Sequence, residues 1–158
     1  MKKFLIIGNK NVITFKDFFP LIKDNKVWFG VTSISTFTQS DGTVKKFGNV
    51  GWFTNMDHKL RQKPLKLAQK YTPEKYPKYD NYDAINVDKT KDIPCDYDGV
   101  MGVPVSFLDK YCPEQFELID GIGRYSVLHN EETKKEKKYL SMINWKACFF
   151  RVIIRHKH

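Results

Sequence analysis

The chain has 158 residues, 41% of them apolar and 15% aromatic, with a formal net charge of +9. That length suffices for one domain with a real core, and the composition is too apolar for a disordered basic tail. A cationic, aromatic-rich globule implies a polyanionic partner, nucleic acid first and an anionic membrane surface second, with a lysine-rich surface lacking any partner as the bland alternative.

Phe4-Leu5-Ile6-Ile7, closed by Gly8-Asn9, is a continuous apolar run and predicts a strand covered on both faces. Thr14 and Asp17 suit the start of a short helix over Phe15–Lys23, which Pro20 should kink or split. Lys26–Val31 is a second strand, so the opening forms the strand–helix–strand unit of an α/β sheet. Ser33–Phe47 is rich in Ser and Thr around Ser40-Asp41-Gly42-Thr43, a hairpin turn signal. Val50–Thr54 predicts a buried strand ended by Asn55 and Asp57. Asp57–Lys70 is dense in lysine, and Pro64 argues against one continuous helix. A basic loop and a short strand over Leu65–Lys70 are expected there.

Pro77–Asp109 combines turn formers, two internal prolines and several tyrosines; only Tyr82–Val87 and Val100–Val105 have strand character. A segment this irregular and this apolar must be held by specific tertiary contacts. Ser106 and Asp109 suit one or two helical turns up to Tyr111, which Cys112-Pro113 stops. Phe116–Ile119 predicts a short strand and Glu131–Lys138 an exposed loop. At the end, Phe150, Val152 and Ile154 alternate with Arg151, Ile153 and Arg155, the pattern of a strand with one wetter face. Repeats and low-complexity linkers are lacking, so residues 1–158 are read as one domain.

Cys95, Cys112 and Cys148 form no CxxC pair and leave one odd, which suits reduced thiols of the cytoplasm better than a disulfide frame or a zinc site. Met1-Lys2-Lys3 before Phe4–Gly8 mimics a signal-peptide start, but the apolar run is too short and no cleavage site follows. Asp96-Tyr97-Asp98-Gly99 has a faint calcium-loop look with the wrong spacing and no distal Glu, so no metal is expected. His156 and His158 are expected to fray rather than ligate.

The strings YPKYDNYDAINV (76–87), KTKDIPCDYDGVMGVPVSFLDKY (89–111) and PEQFELI (113–119) closely resemble the C-terminal half of the EcoRI-type adenine-specific DNA methyltransferases. The likeness begins near Lys3 and continues with interruptions to about Arg155; Ser33–Phe47 is short against the family and Glu131–Lys146 matches weakly. The resemblance implies an α/β fold: an incomplete Rossmann-like methyltransferase sheet, its later strands, with an irregular β-rich C-terminal part. It implies a restriction–modification enzyme that transfers methyl from S-adenosylmethionine to a flipped-out adenine of duplex DNA, without a metal. In that family an Asn-Pro-Pro-Phe motif lies just upstream of the strand that KFLIIGNKN (3–11) resembles, so catalytic and cofactor residues are expected outside this chain. The residues agree. No Pro-Pro pair exists, and Gly121-Ile122-Gly123 follows a strand without opening a helix.

The expected activity is therefore that of a partial enzyme, inactive alone, whose missing half is an N-terminal segment or a separate catalytic subunit. A non-catalytic DNA-binding or specificity module working with a partner chain is the alternative. Asn9 and Asn11, at the carboxyl end of the first strand, are candidates for the rim of the active-site cleft, against a plain turn role. Lys59, Arg61, Lys63 and Lys66 are candidate phosphate contacts, as are Lys134, Lys135, Lys137 and Lys138, against solvated surface. Trp52 and Phe53 suit the core better than base stacking. An interior strand deprived of its neighbour exposes an apolar edge, so self-association through Met1–Gly8 is expected.

Overall fold

A computed structural model describes residues 2–15, 17–123 and 141–158. Strand β1 (Leu5–Asn9) leads into a 3-10 turn over Lys10–Thr14 and a five-residue helix, α1 (Phe19–Lys23). Pro20 sits in the first turn of α1, where its missing N–H costs nothing, so it starts the helix instead of interrupting one. The helix presses Phe19 and Ile22 into the core. Strands β2 (Trp28–Thr38) and β3 (Val44–Thr54) then form a long hairpin. Its turn has the Gln39 N–H donating to the Thr43 carbonyl at 2.8 Å, with Gly42 at φ 83. That left-handed position is the reason for the Asp-Gly pair.

The strand order is β1-β3-β2, with β3 antiparallel to both neighbours. β1 and β2 therefore run in the same sense with the helical crossover between them, but β3 separates them. Among the described residues β1 is an edge strand, and its side chains are open: Leu5, Ile6 and Ile7 are 52%, 56% and 41% exposed. The expectation of a strand covered on both faces fails, because among the described residues no layer packs closely over either face of Leu5–Ile7.

The remaining strands are β4 (Ile85–Asn86), β5 (Met101–Val103), β6 (Phe116–Ile122), β7 (Met142–Ile143), β8 (Lys146–Ala147) and β9 (Arg151–His156). β4, β5, β9 and β6 make a four-stranded sheet in that order, and β7 and β8 pair separately. The final strand departs from its amphipathic reading. Val152, Ile153 and Ile154 are all fully buried, since β9 lies between β5 and β6 and both its faces are covered. His156 belongs to that strand, its Nε2 2.8 Å from the Pro94 carbonyl and its ring against Phe116. Leu65–Lys70 forms no strand; it makes one isolated bridge, Gln69 with Pro94.

Pro77–Asp109 is held as its composition requires, by individual contacts. The expected strands shrink to β4 and β5, joined in parallel. The buried Tyr79 hydroxyl donates to Asn86 Oδ1 at 2.7 Å, and burial pushes that phenol well above its usual range. A Cβ at Gly102 would run into the Tyr79 ring. The helical stretch after β5 is a 3-10 turn over Val105–Lys110 that buries Phe107 and Leu108.

One cluster of buried side chains joins the two larger sheets, with Phe29 and Phe53 from the first meeting Ile85, Met101, Val103, Val152 and Ile154 from the second. No helix among the described residues is long and apolar enough to cross a membrane. Ile153→Ala should lower the unfolding free energy by about 2–5 kcal/mol, the usual loss for an emptied core position. Ile6→Ala, at an exposed edge, should change it by less than about 0.5 kcal/mol. Urea denaturation of the two variants checks this, and equal losses would contradict the exposed edge.

Candidate nucleic-acid interface

The carboxyl end of β1 is shaped by its asparagines. Asn9 Oδ1 accepts the Asn11 N–H at 2.9 Å, and the Thr14 hydroxyl donates to the Asn11 carbonyl at 2.8 Å, so both residues build the 3-10 turn. This is the turn role. Both side chains nevertheless remain exposed and line the mouth of a hollow of about 1300 Å³ walled by Phe4, Ile6, Phe15, Phe18, Phe149 and Phe150. Lys10, from the same turn, crosses over Gly51, where a Cβ would collide with it. Its ammonium meets Asp109 Oδ1 at 2.7 Å and sits 5.1 Å from the Phe29 ring centre. The sequence offered no hint of that pairing, which spans 99 positions.

The basic loop after β3 divides. Lys59–Gln62 forms a 3-10 turn that lays the Arg61 guanidinium 3.6 Å from the Trp28 ring centre. Arg61 also donates to Asn25 Oδ1 at 2.9 Å and lies 3.9 Å from Asp57, with its side chain only 13% exposed. Burial pulls the guanidinium below its ordinary range, while Asp57 opposes the shift. Beside it, burial pushes the Tyr111 hydroxyl up to about 12. Arg61 is therefore committed to its own fold. Lys59, Lys63 and Lys66 are exposed, and none has an ion-pair partner among the described residues.

Phe53 is core, in edge contacts with Phe18 and Phe29. Among the described residues no group of three His, Cys, Asp or Glu is placed to hold a metal ion. Asp96 accepts the Tyr71 N–H, and Asp98 lies 3.3 Å from His158. Lys134, Lys135, Lys137 and Lys138 lie outside the described residues.

The family described as adenine-specific methyltransferase EcoRI matches residues 1–157, nearly the whole chain. The chain belongs to the EcoRI family of adenine-specific methyltransferases. It is 47% identical over 176 aligned positions to the Type II methyltransferase M.EcoRI of Escherichia coli, a match covering 99% of this chain and 51% of that protein. It is 34% identical to M.MgeORF184P of Mycoplasma genitalium and 32% identical to M.MpnI of Mycoplasma pneumoniae, each of which is 57% covered. This member of the EcoRI family thus spans about half the length of the curated relatives it matches. No solved structure matches it.

The two kinds of cation should separate by experiment. Arg61→Ala should destabilise the fold by about 1–2 kcal/mol through the lost ring contact and hydrogen bond. Lys63→Ala should shift stability by less than about 0.5 kcal/mol. Urea titrations of both variants decide it; a neutral Arg61→Ala would mean that the guanidinium is free for a ligand.

Proposed function

We propose that this chain is the DNA-facing part of a cytoplasmic, S-adenosylmethionine-dependent DNA adenine N6-methyltransferase of a restriction–modification system. Cofactor binding and methyl transfer then belong to polypeptide outside these 158 residues, an N-terminal half or a separate subunit. One observation carries the reading. The family match runs along residues 1–157 of a chain half the length of its relatives, and that chain presents an apolar strand edge with nothing paired to it among the described residues.

In this reading β1, β3 and β2 are the later strands of a doubly wound, Rossmann-like sheet. The common sense of β1 and β2, and the helical crossover between them, support it. The absent strands would continue along the outer edge of β1. Asn9 and Asn11 then border the cleft at the carboxyl end of β1, where open α/β sheets place their ligands.

The hollow beside β1 does not suit the cofactor. Among the described residues no carboxylate lines it to accept ribose hydroxyls, and Lys26, which does line it, would face a sulfonium.

Lys59, Lys63 and Lys66 supply phosphate contacts to duplex DNA. With these three and about two more contacts elsewhere on the chain, log K should fall with log salt at a slope of roughly −4 to −5. Lys63→Glu with Lys66→Glu should flatten that slope by about two. Fluorescence anisotropy with a labelled mixed-sequence duplex measures both. Salt-independent binding, or none at about 50 mM salt, would overturn the DNA-facing reading; micromolar binding of S-adenosylmethionine to this chain in calorimetry would overturn the assignment of the cofactor to another segment.

A further inference from the structure

The β2–β3 hairpin outruns its sheet. β1 stops pairing at Asn9 with Val50, while β2 and β3 continue from Ile34 with Val50 out to Thr38 with Val44. Every residue from Ser35 to Asn49 is exposed, and this stretch has no third strand among the described residues. At ~3.3 Å per residue, the seven residues from Val44 to Val50 project about 20 Å. The tip is built: Gly42 N–H donates to the Gln39 carbonyl, and Asp41 Oδ1 accepts the Thr43 N–H at 2.8 Å, which holds the Asp41 carboxyl below its usual range.

The two faces of this ribbon differ. On one, Phe37 lies opposite Lys45 and packs edge-on against Phe47, 5.4 Å between ring centres. That face borders Ile7, Gly8 and Asn9, so the ribbon rises beside the carboxyl end of β1. The other face carries Thr36 opposite Lys46 and Thr38 opposite Val44. A Cβ at Gly48 would meet nothing within 4 Å. Among the described residues neither Lys45 nor Lys46 has an ion-pair partner, unlike Lys10 and Arg61.

We propose that this ribbon enters the major groove of duplex DNA and reads base edges there; the inference rests on the DNA-facing reading above. A two-stranded ribbon fits the major groove, about 12 Å wide, and not the minor groove of about 6 Å. Threonine hydroxyls and the Gln39 amide can pair with base edges, and threonine methyls suit the thymine methyl. Lys45 and Lys46 bring positive charge to the flanking phosphates. An exposed ribbon with free edges is a liability unless a partner covers it, and a chain of net charge +9 selects a polyanion for that role.

The test uses the whole chain and a labelled mixed-sequence duplex. Lys45→Glu with Lys46→Glu should weaken binding about tenfold or more and flatten the salt slope by about two. The same change at Lys89 and Lys91, exposed beyond β4, should leave affinity within about threefold. Methyl green, which occupies the major groove, should displace the protein, whereas netropsin in the minor groove should not. Selection from a random duplex pool should enrich a consensus with the wild-type chain and lose it with Thr36→Val, Thr38→Val and Gln39→Ala, which keep the strands intact. If the wild type binds but the lysine pair is silent, netropsin competes, or no consensus emerges, the ribbon proposal falls and the DNA-facing reading stands. If the wild type binds no duplex at all, both fall.

Discussion

Backbone pairing along β3 sets the layout of the first half of the chain. From Val50 to Thr54 it is bonded on both sides, to β1 and β2, and there Gly51, Phe53 and Thr54 are buried. From Asn49 outward to Val44 it is bonded to β2 alone, and the whole stretch is exposed. One strand thus serves as an interior strand at one end and as half of a free ribbon at the other. Every unpaired N–H and C=O must still reach water or a partner. Among the described residues that requirement leaves the outer sides of β1 and β2 open and, beyond the end of β1 at Asn9, the facing side of β3 as well.

Long-range side-chain ties fix this layer to the second sheet and its loops. Lys10 reaches Asp109 beyond β5, while within the layer itself Arg61 stacks on Trp28 and the Trp28 indole N–H donates to the Met56 carbonyl at 2.9 Å. Together with the shared cluster around Phe29, Phe53 and Met101, they make the position of the β1 edge a property of the whole core. Electrostatics then sorts the cations. Those with aromatic or carboxylate partners hold the fold, whereas Lys45, Lys46, Lys59, Lys63 and Lys66 face solvent and are the ones to which the proposed function gives phosphates.

Much of this was legible in the sequence. The Asp41-Gly42 turn, the strand at Phe4–Ile7 and the strand at Phe116 follow from local chemistry, and the strings of 76–119 carried the family. What failed were judgements of cover. Periodicity records which residues are apolar, and neighbours decide which are buried, so Leu5–Ile7 proved open and Ile153 enclosed on both faces. Arg61 resembled its lysine neighbours because nothing local marks a ring 33 positions upstream. Nothing local sets Lys45 and Lys46 apart from other hairpin lysines, since their freedom from ion-pair partners among the described residues is a fact of tertiary structure.

The central claim is that the outer edge of β1 is an open seam where the rest of the methyltransferase sheet attaches. Amide hydrogen exchange over Leu5–Asn9 in the dilute chain tests it most directly. Alternate amides, those bonded to β3, should be protected, while the others exchange near the rate of an unstructured segment and slow only when a second copy or the complementary polypeptide is added. Uniform protection of all five amides in a concentration-independent monomer would contradict the claim, because it would mean that the edge is already covered from within.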